Sequence, residues 1–192
     1  MLSFVALSLA LISSSSAVKI FIDPGHGGSD PGAVANGLRE KDLTLTISNK
    51  VAAGLRRVSG CEVKLSRTTD VYLSLSQRAQ MANSWGARFF ISIHINAGGG
   101  TGFESYRHQS NTADSRNIQA KLHPKIVGAM GVRDRGQKMA NFAVLRDTTM
   151  SAILTENMFI DTAADAAKLK QAAFIEKIVS GHVAGIRAGV GF

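Results

Sequence analysis

The sequence predicts an α/β fold in which a largely buried sheet alternates with helices. Two short apolar runs, residues 18–22 (V-K-I-F-I) and 89–93 (F-F-I-S-I), break off abruptly at histidine-bearing segments. Runs of this kind suit strands buried on both faces of a parallel sheet. Between and beyond them apolar residues recur at helical spacing, as at Leu43, Ile47, Val51 and Leu55.

In chain order, residues 1–17 stand apart. They carry no charge, residues 2–12 are nearly all apolar, and Ser15-Ser16-Ala17 places small residues where a signal peptidase reads. The apolar stretch is too short for a stable bilayer anchor, and the usual basic start is missing. A cleaved export signal over 1–17 is expected, followed by a single domain over 18–192; an artefactual start is the alternative. Residues 18–22 form the first strand. Asp23-Pro24-Gly25-His26-Gly27-Gly28 ends it and holds a histidine on a tight turn at the strand's carboxyl end, the edge where open α/β sheets bind ligands. Residues 29–38 read as a loop containing Gly and Asn. A helix follows from Glu40, with Glu40 and Asp42 in its first turn, where the helix dipole favours negative charge.

Residues 62–66 alternate around Val63 and Leu65 as a second strand. Ser74 and Gln77 form a capping-box pattern for a short helix to about residue 83. Residues 89–93 are the third strand, ending at His94, and residues 102–106 the next. Residues 111–130 have a helical pattern with Ile118, Leu122 and Ile126 on one face, which Pro124 is expected to kink or split. Residues 142–145 and 152–155 read as two further short strands, the second followed at once by Glu156. Phe174, Ile178 and Ile186 mark a closing helix. No internal repeat or linker is visible after Ala17.

Composition narrows the class. A 192-residue chain that is 45% hydrophobic fits one globular domain with a full core. Twenty-two Lys and Arg against fourteen Asp and Glu leave a net charge of +8. That charge is either an evenly spread basic surface or the footprint of an anionic partner: nucleic acid, membrane or an acidic wall polymer. Aromatics at 6%, with no recognised binding motif, argue against nucleic acid. The single Cys61 excludes an internal disulfide and a multi-cysteine zinc site.

Three candidate groups, His26, His94 and Glu156, directly follow apolar strands. If those strands are parallel, the three share one sheet edge, and Glu40 opens a helix whose end faces the same way. Two imidazoles and a carboxylate make a catalytic zinc set with one position left for water. A further carboxylate outside the ligand shell takes the water proton, a role that suits Glu156. Each residue also has an ordinary reading. A turn histidine is commonly a hydrogen-bonded surface residue, Glu40 is a good first-turn residue, and Glu156 suits one half of an ion pair. His108, His123 and His182 are assigned to that ordinary category, His108 least firmly because it follows a strand.

The runs I-F-I-D-P-G-H-G-G-S-D-P-G-A, L-R-E-K-D-L, L-S-R-T-T-D, I-S-I-H-I-N-A, D-R-G-Q-K-M-A-N-F-A-V-L-R and I-L-T-E-N-M-F-I occur in that order. Together they resemble the zinc-dependent N-acetylmuramoyl-L-alanine amidases of the bacterial cell wall, over nearly everything from Val18 to about Ala188. The resemblance implies a three-layer α/β/α fold with a twisted, mostly parallel six-stranded sheet and helices on both faces. It implies one Zn²⁺ per chain held by His26, Glu40 and His94, with Glu156 as the catalytic carboxylate. Asn96 and Arg135 are weaker candidates for substrate binding; Arg135 alternatively pairs with a carboxylate. Two departures stand out: Met158 where relatives often have Gly, and Ile95 where many have Ala. Some division-associated relatives carry a long insertion that lays a helix over the zinc. Here His94 and Asp134 are too close in sequence for it, so an open groove with no need for an activator is expected.

The implied reaction is hydrolysis of the amide between the lactyl group of N-acetylmuramic acid and L-alanine. The expected partners are peptidoglycan and anionic wall polymers, with no nucleic acid and no stable membrane anchor, for a secreted monomer at the cell wall. Two rivals remain. A zinc peptidase acting within the stem peptide shares the chemistry but needs a dedicated partner for a free terminus. A non-catalytic wall-binding module needs neither a metal nor Glu156.

Overall fold

The computed structural model of the chain describes residues 17–110 and 113–191, so the expected export segment, apart from Ala17, lies outside the described residues. Six strands form the main sheet: β1 (Val18–Pro24), β4 (Cys61–Leu65), β5 (Phe89–Asn96), β6 (Phe103–Arg107), β7 (Asp134–Met139) and β8 (Ser151–Phe159). A two-stranded hairpin, β2 (Val34–Ala35) and β3 (Leu38–Arg39), precedes helix α1 (Glu40–Leu55). The other helices are α2 (Leu75–Trp85), α3 (Ala113–Met130), α4 (Ala143–Arg146), α5 (Ala163–Leu169) and α6 (Ala172–Val190). The sheet order is β4-β1-β5-β8-β6-β7. Every pairing in it is parallel except β6 with β8. This is the expected three-layer, mostly parallel architecture.

Strand alternation divides the core into two layers. Ile20, Ile22, Ile91, Ile93 and Ile153 face α1, α3 and α6, whose Ile47, Val51, Ile118, Leu122, Ile126, Ile178 and Ile186 are all buried. Phe21, Phe90, Ala152 and Leu154 face the other way, against Ala82 near the end of α2 and Val144 and Leu145 of α4. Each large side chain sealed in this way stabilises the fold by about 1.5–3 kcal/mol. The second layer is the thinner, and its incomplete cover leaves the sheet edge open. Helix α3 packs on α6, in the opposite layer, and does not cover that edge.

Several elements depart from expectation for identifiable reasons. Residues 142–145 are not a strand: Ala143–Arg146 make one helical turn that buries Val144 and Leu145. The sixth strand is instead β7, D-R-G-Q-K-M, whose exposed, charged pattern carries no apolar alternation because it lies at the sheet edge. The loop at 29–38 contains the β2–β3 hairpin, closed by Asn36 and Gly37 with φ of 51° and 73°. Asn-Gly is the residue pair such a turn favours. Helix α3 runs unbroken through Pro124. Pro124 and Ala120, whose carbonyl the missing proline N–H cannot bond, are both exposed, so the lost hydrogen bond faces solvent. The Ser74–Gln77 capping box forms as expected.

Fully buried His182 of α6 places Nδ1 2.8 Å from the Ile178 carbonyl and Nε2 3.1 Å from Thr155 Oγ1. Burial pushes its pKa down to about 4, so the folded state holds it neutral while the unfolded chain protonates near 6.5. Its contribution is therefore complete above about pH 6.5 and is lost as pH falls toward 4, by about 3 kcal/mol. Melting temperature measured across this window is expected to fall less steeply in His182→Gln than in the parent chain. Parallel slopes would assign the acid sensitivity elsewhere.

Candidate metal centre and active site

Because β1, β5 and β8 are parallel, their carboxyl ends open on one edge, and β1 continues there into the turn bearing His26. Register pairs Asp23 with Ser92 and His94 with Glu156, and alternation puts all four on the thinner-layered face. Two buried arginines grip the turn. Arg78 donates to the carbonyls of Pro24 (2.7 Å) and His26 (2.7 Å) and to Asp23 Oδ1 (2.9 Å). Arg67 donates to Pro24 O (3.1 Å), to Gly25 O (2.8 Å) and to Lys41 O (2.9 Å) in the first turn of α1. His26 is held at φ 61°, a left-handed conformation that only strong outside contacts maintain in a non-glycine residue. Gly25 is obligatory: a Cβ there would lie 2.4–2.7 Å from the His94 ring.

His26, Glu40 and His94 converge so that their ligand atoms all lie within 4.8 Å of one another. Glu40 Oε1 is 3.1 Å from His26 Nε2 and 3.0 Å from His94 Nδ1. The outer nitrogens are fixed by other groups. His26 Nδ1–H donates to Asp30 Oδ2 (2.8 Å). Ser92 gives its single hydroxyl proton to Asp23 Oδ2 (2.8 Å), so it accepts from His94 Nε2–H (3.1 Å). The inner nitrogens and Glu40 Oε1 are then three lone pairs aimed at one another, an arrangement that needs a shared proton or a cation at its centre. Backbone N–H groups of Ala33 (2.9 Å) and Ile95 (3.0 Å) pin the two Glu40 oxygens. The donor set and the outer partners fit a divalent ion of the zinc type.

The electrostatics agree with this reading. Burial opposes the charged His26 ring, but hydrogen bonds and charge from Glu40 and Asp30 outweigh it and lift its pKa to about 9. His94 is raised by Glu40 against the same desolvation. Burial likewise works against the Glu40 carboxylate, yet the two histidines hold it well below the usual range. Glu156 contrasts with it. Burial, reinforced by Glu40 and Glu104, pushes it up to about 7, and its Oε2 is buried without a hydrogen-bond partner. It lines a cleft of about 280 Å³ with His26, His94, Asp30, Arg78, Tyr72 and Phe142.

The remaining sequence candidates lie outside the set of three ligand residues. Asn96 and Arg135 both bind Glu104, Asn96 through Nδ2 (2.7 Å) and Arg135 through Nε (2.8 Å). His108 follows β6, which runs antiparallel to β8, so it lies towards the opposite sheet edge. His123 of α3 is buried between Ser105 Oγ (2.8 Å) and Asp134 Oδ1 (2.8 Å); Ser105 is fully buried, so its hydroxyl meets no substrate although Asp134 is exposed. Met158 takes φ 76°, a conformation natural to Gly, and its side chain is fully buried in the main core. Sequence reasoning passed over Asp23, Asp30, Ser92 and Glu104. The first two lie inside the D-P-G-H-G-G-S-D run and Ser92 precedes His94 by two, so period-2 alternation places Ser92 and His94 on one face.

Metal uptake must displace the proton that His26, with its pKa at about 9, carries near neutrality. Titrating a divalent cation into metal-free protein at pH 7 is expected to release at least one proton per chain, with affinity rising up to about pH 9, where His26 titrates. Calorimetry in two buffers of different ionisation enthalpy measures this. Heats independent of buffer would mean that the inner nitrogens are already free.

A family model described as N-acetylmuramoyl-L-alanine amidase matches residues 20–188. Among curated proteins, the chain is 52% identical over 174 residues to the sporulation-specific N-acetylmuramoyl-L-alanine amidase of Bacillus subtilis, covering 88% of this chain and 67% of that protein. It is 45% identical over 173 residues to the endolysin of Bacillus phage SPP1, covering 87% of this chain and 64% of the endolysin. Among solved structures, an N-acetylmuramoyl-L-alanine amidase from Clostridium difficile 630 superposes with a TM-score of 0.89 at 37% identity, over 92% of this chain and 98% of that one. With the family match spanning most of its length, the chain belongs to the N-acetylmuramoyl-L-alanine amidase family of enzymes.

Proposed function

We propose that this chain is a zinc-dependent amidase that hydrolyses the bond between the lactyl carbonyl of N-acetylmuramic acid and the amino group of L-alanine in peptidoglycan. The observation that carries the reading is the convergence of three inward-facing donors, on His26, Glu40 and His94, at the edge that also bears Glu156 with its unpartnered oxygen. Family membership supplies the substrate class; the site by itself supplies only the chemistry of amide hydrolysis.

His26, Glu40 and His94 would hold the ion. When bound, zinc supplies Lewis acidity that stabilises charge developing on the carbonyl oxygen and acidifies water. Glu156 takes the proton of the attacking water on its buried oxygen and returns it to the departing L-alanine nitrogen, so one carboxyl serves as base and then as acid. A pKa near 7 in the metal-free chain suits both duties. Asp30 and the Ser92–Asp23 pair keep the two imidazoles in the tautomers that face inward. Tyr72, Leu75 and Phe142 are exposed beside the cleft and offer an apolar wall for the substrate.

Among the described residues no helix is long and apolar enough to cross a membrane. We read residues 1–17 as an export signal and residues 18–192 as the catalytic domain acting at the cell wall as a monomer. Mass analysis of extracellular protein is expected to find an amino terminus at Val18; an intact Met1 in active secreted protein would contradict it.

The reaction is tested by digesting purified peptidoglycan and labelling new amino termini. Labelled alanine with no rise in reducing sugar is the expected outcome; labels on other residues would indicate a peptidase within the stem. Glu156→Gln is expected to retain one zinc per chain and the parent melting temperature while losing about 10²–10⁴-fold in rate. His26→Ala and His94→Ala are expected to lose the zinc itself, as elemental analysis would show.

A further inference from the structure

Glu104 lies directly opposite Glu156 on the antiparallel pair β6–β8, so both side chains leave the same face of the sheet. It is 2% exposed and accepts four hydrogen bonds. Oε1 receives Asn96 Nδ2 (2.7 Å) and Tyr106 OH (2.6 Å); Oε2 receives Arg135 Nε (2.8 Å) and Lys138 Nζ. One negative charge therefore anchors two cations and leaves a local surplus of one positive charge. Arg135 is held through Nε, with Phe159 beneath its guanidinium at 4.7 Å. Its two terminal nitrogens make no hydrogen bond among the described residues. Arg135 and Lys138 side chains remain 27% and 36% exposed, so both can reach a ligand. Glu104 is held at about 2, where it stays ionised and keeps its grip at any working pH.

We infer that Arg135 and Lys138, fixed by the buried Glu104 as positioning residue, form a carboxylate-binding subsite that reads an acidic group on the stem-peptide residue following L-alanine. The inference rests on the amidase reading proposed above. A structural ion pair would need one cation, and the second, with spare guanidinium donors, calls for a further anion. A planar fork of N–H donors matches a carboxylate. In the proposed substrate the muramic carboxyl is consumed in the scissile amide, so the free carboxylates belong to the peptide. Strands are spaced about 4.8 Å apart, which puts the side chains of β6 and β7 about 5–10 Å from Glu156. That is the reach of an acidic group one residue past the alanine.

The test uses the zinc-loaded full chain and two muramoyl peptides that differ only in the residue after L-alanine, one with a free carboxylate and one with the carboxamide. The parent enzyme is expected to favour the acid by about 10- to 100-fold in kcat/KM, the effect of a charge-assisted contact. In Arg135→Gln and Lys138→Gln the ratio falls toward one, with the change in KM rather than kcat. Glu104→Gln is expected to lower the ratio likewise by freeing both cations; if it does not fold, the two cation variants decide. Equal rates on both peptides with the parent enzyme, or a ratio unchanged in both cation variants, overturns the subsite and leaves the amidase reading standing. Release of no L-alanine amino terminus from either peptide overturns both.

Discussion

The site depends on two guanidinium groups placed where strand β1 stops. A chain that turns sharply at the end of a buried strand exposes carbonyls that no ladder partner can take, and each one left unpaired costs about 1–3 kcal/mol. Arg67 and Arg78 take those of Pro24, Gly25 and His26. Arg67 also reaches Lys41 O in the first turn of α1, one residue past Glu40. Through Arg67 one guanidinium ties the His26 turn to the helix that carries Glu40. The left-handed backbone of His26 persists because Arg78 holds its carbonyl. Gly25 leaves room for the His94 ring. A buried charge is tolerated here because its donors are spent on fixed acceptors.

Polar groups cross one face of the sheet in a continuous row: Asp23, Ser92 and His94, Glu156, Glu104, then Lys138. Three carboxyls beside this row have three different environments. Glu40 faces two imidazole nitrogens and accepts from two backbone N–H groups, and Glu104 accepts from two cations, an amide and a phenol. Both are held as anions. Glu156 is desolvated between them with an oxygen that nothing satisfies, so it alone holds a proton near neutrality. Separating carboxyls by their partners is how one fold provides both a ligand and a proton carrier at one pH. The tyrosine that binds Glu104 pays the corresponding penalty, its phenol pushed well above its ordinary value by burial and by that carboxylate.

The sheet's central strands were legible because burial on both faces leaves an unbroken apolar run, and the helices because one face must be apolar. The edge strand β7 was not, since a strand exposed on its outer side needs no alternation. The single turn of α4 resembled a strand because Val144 and Leu145 are apolar neighbours, whereas the structure buries both in the thinner layer from one helical turn. The hairpin at Asn36-Gly37 had a local signal in that dipeptide, and a loop reading of residues 29–38 passed over it.

The sequence by itself determined the chemistry-bearing residue types and their order: a histidine just past one buried strand and another near the end of a second, a glutamate opening a helix, and another late in the last strand. Chain direction then decided which of them meet. Parallel β1, β5 and β8 bring His26, His94 and Glu156 to one edge, while the reversal at β6 carries His108 away and sets Glu104 opposite Glu156. Burial disposed of His123 and His182, which close hydrogen bonds inside the α3–α6 layer. Outer partners such as Asp30 and Ser92 also emerged only in three dimensions. A hydrogen bond that selects a tautomer depends on angles and a few tenths of an ångström, which residue order does not specify.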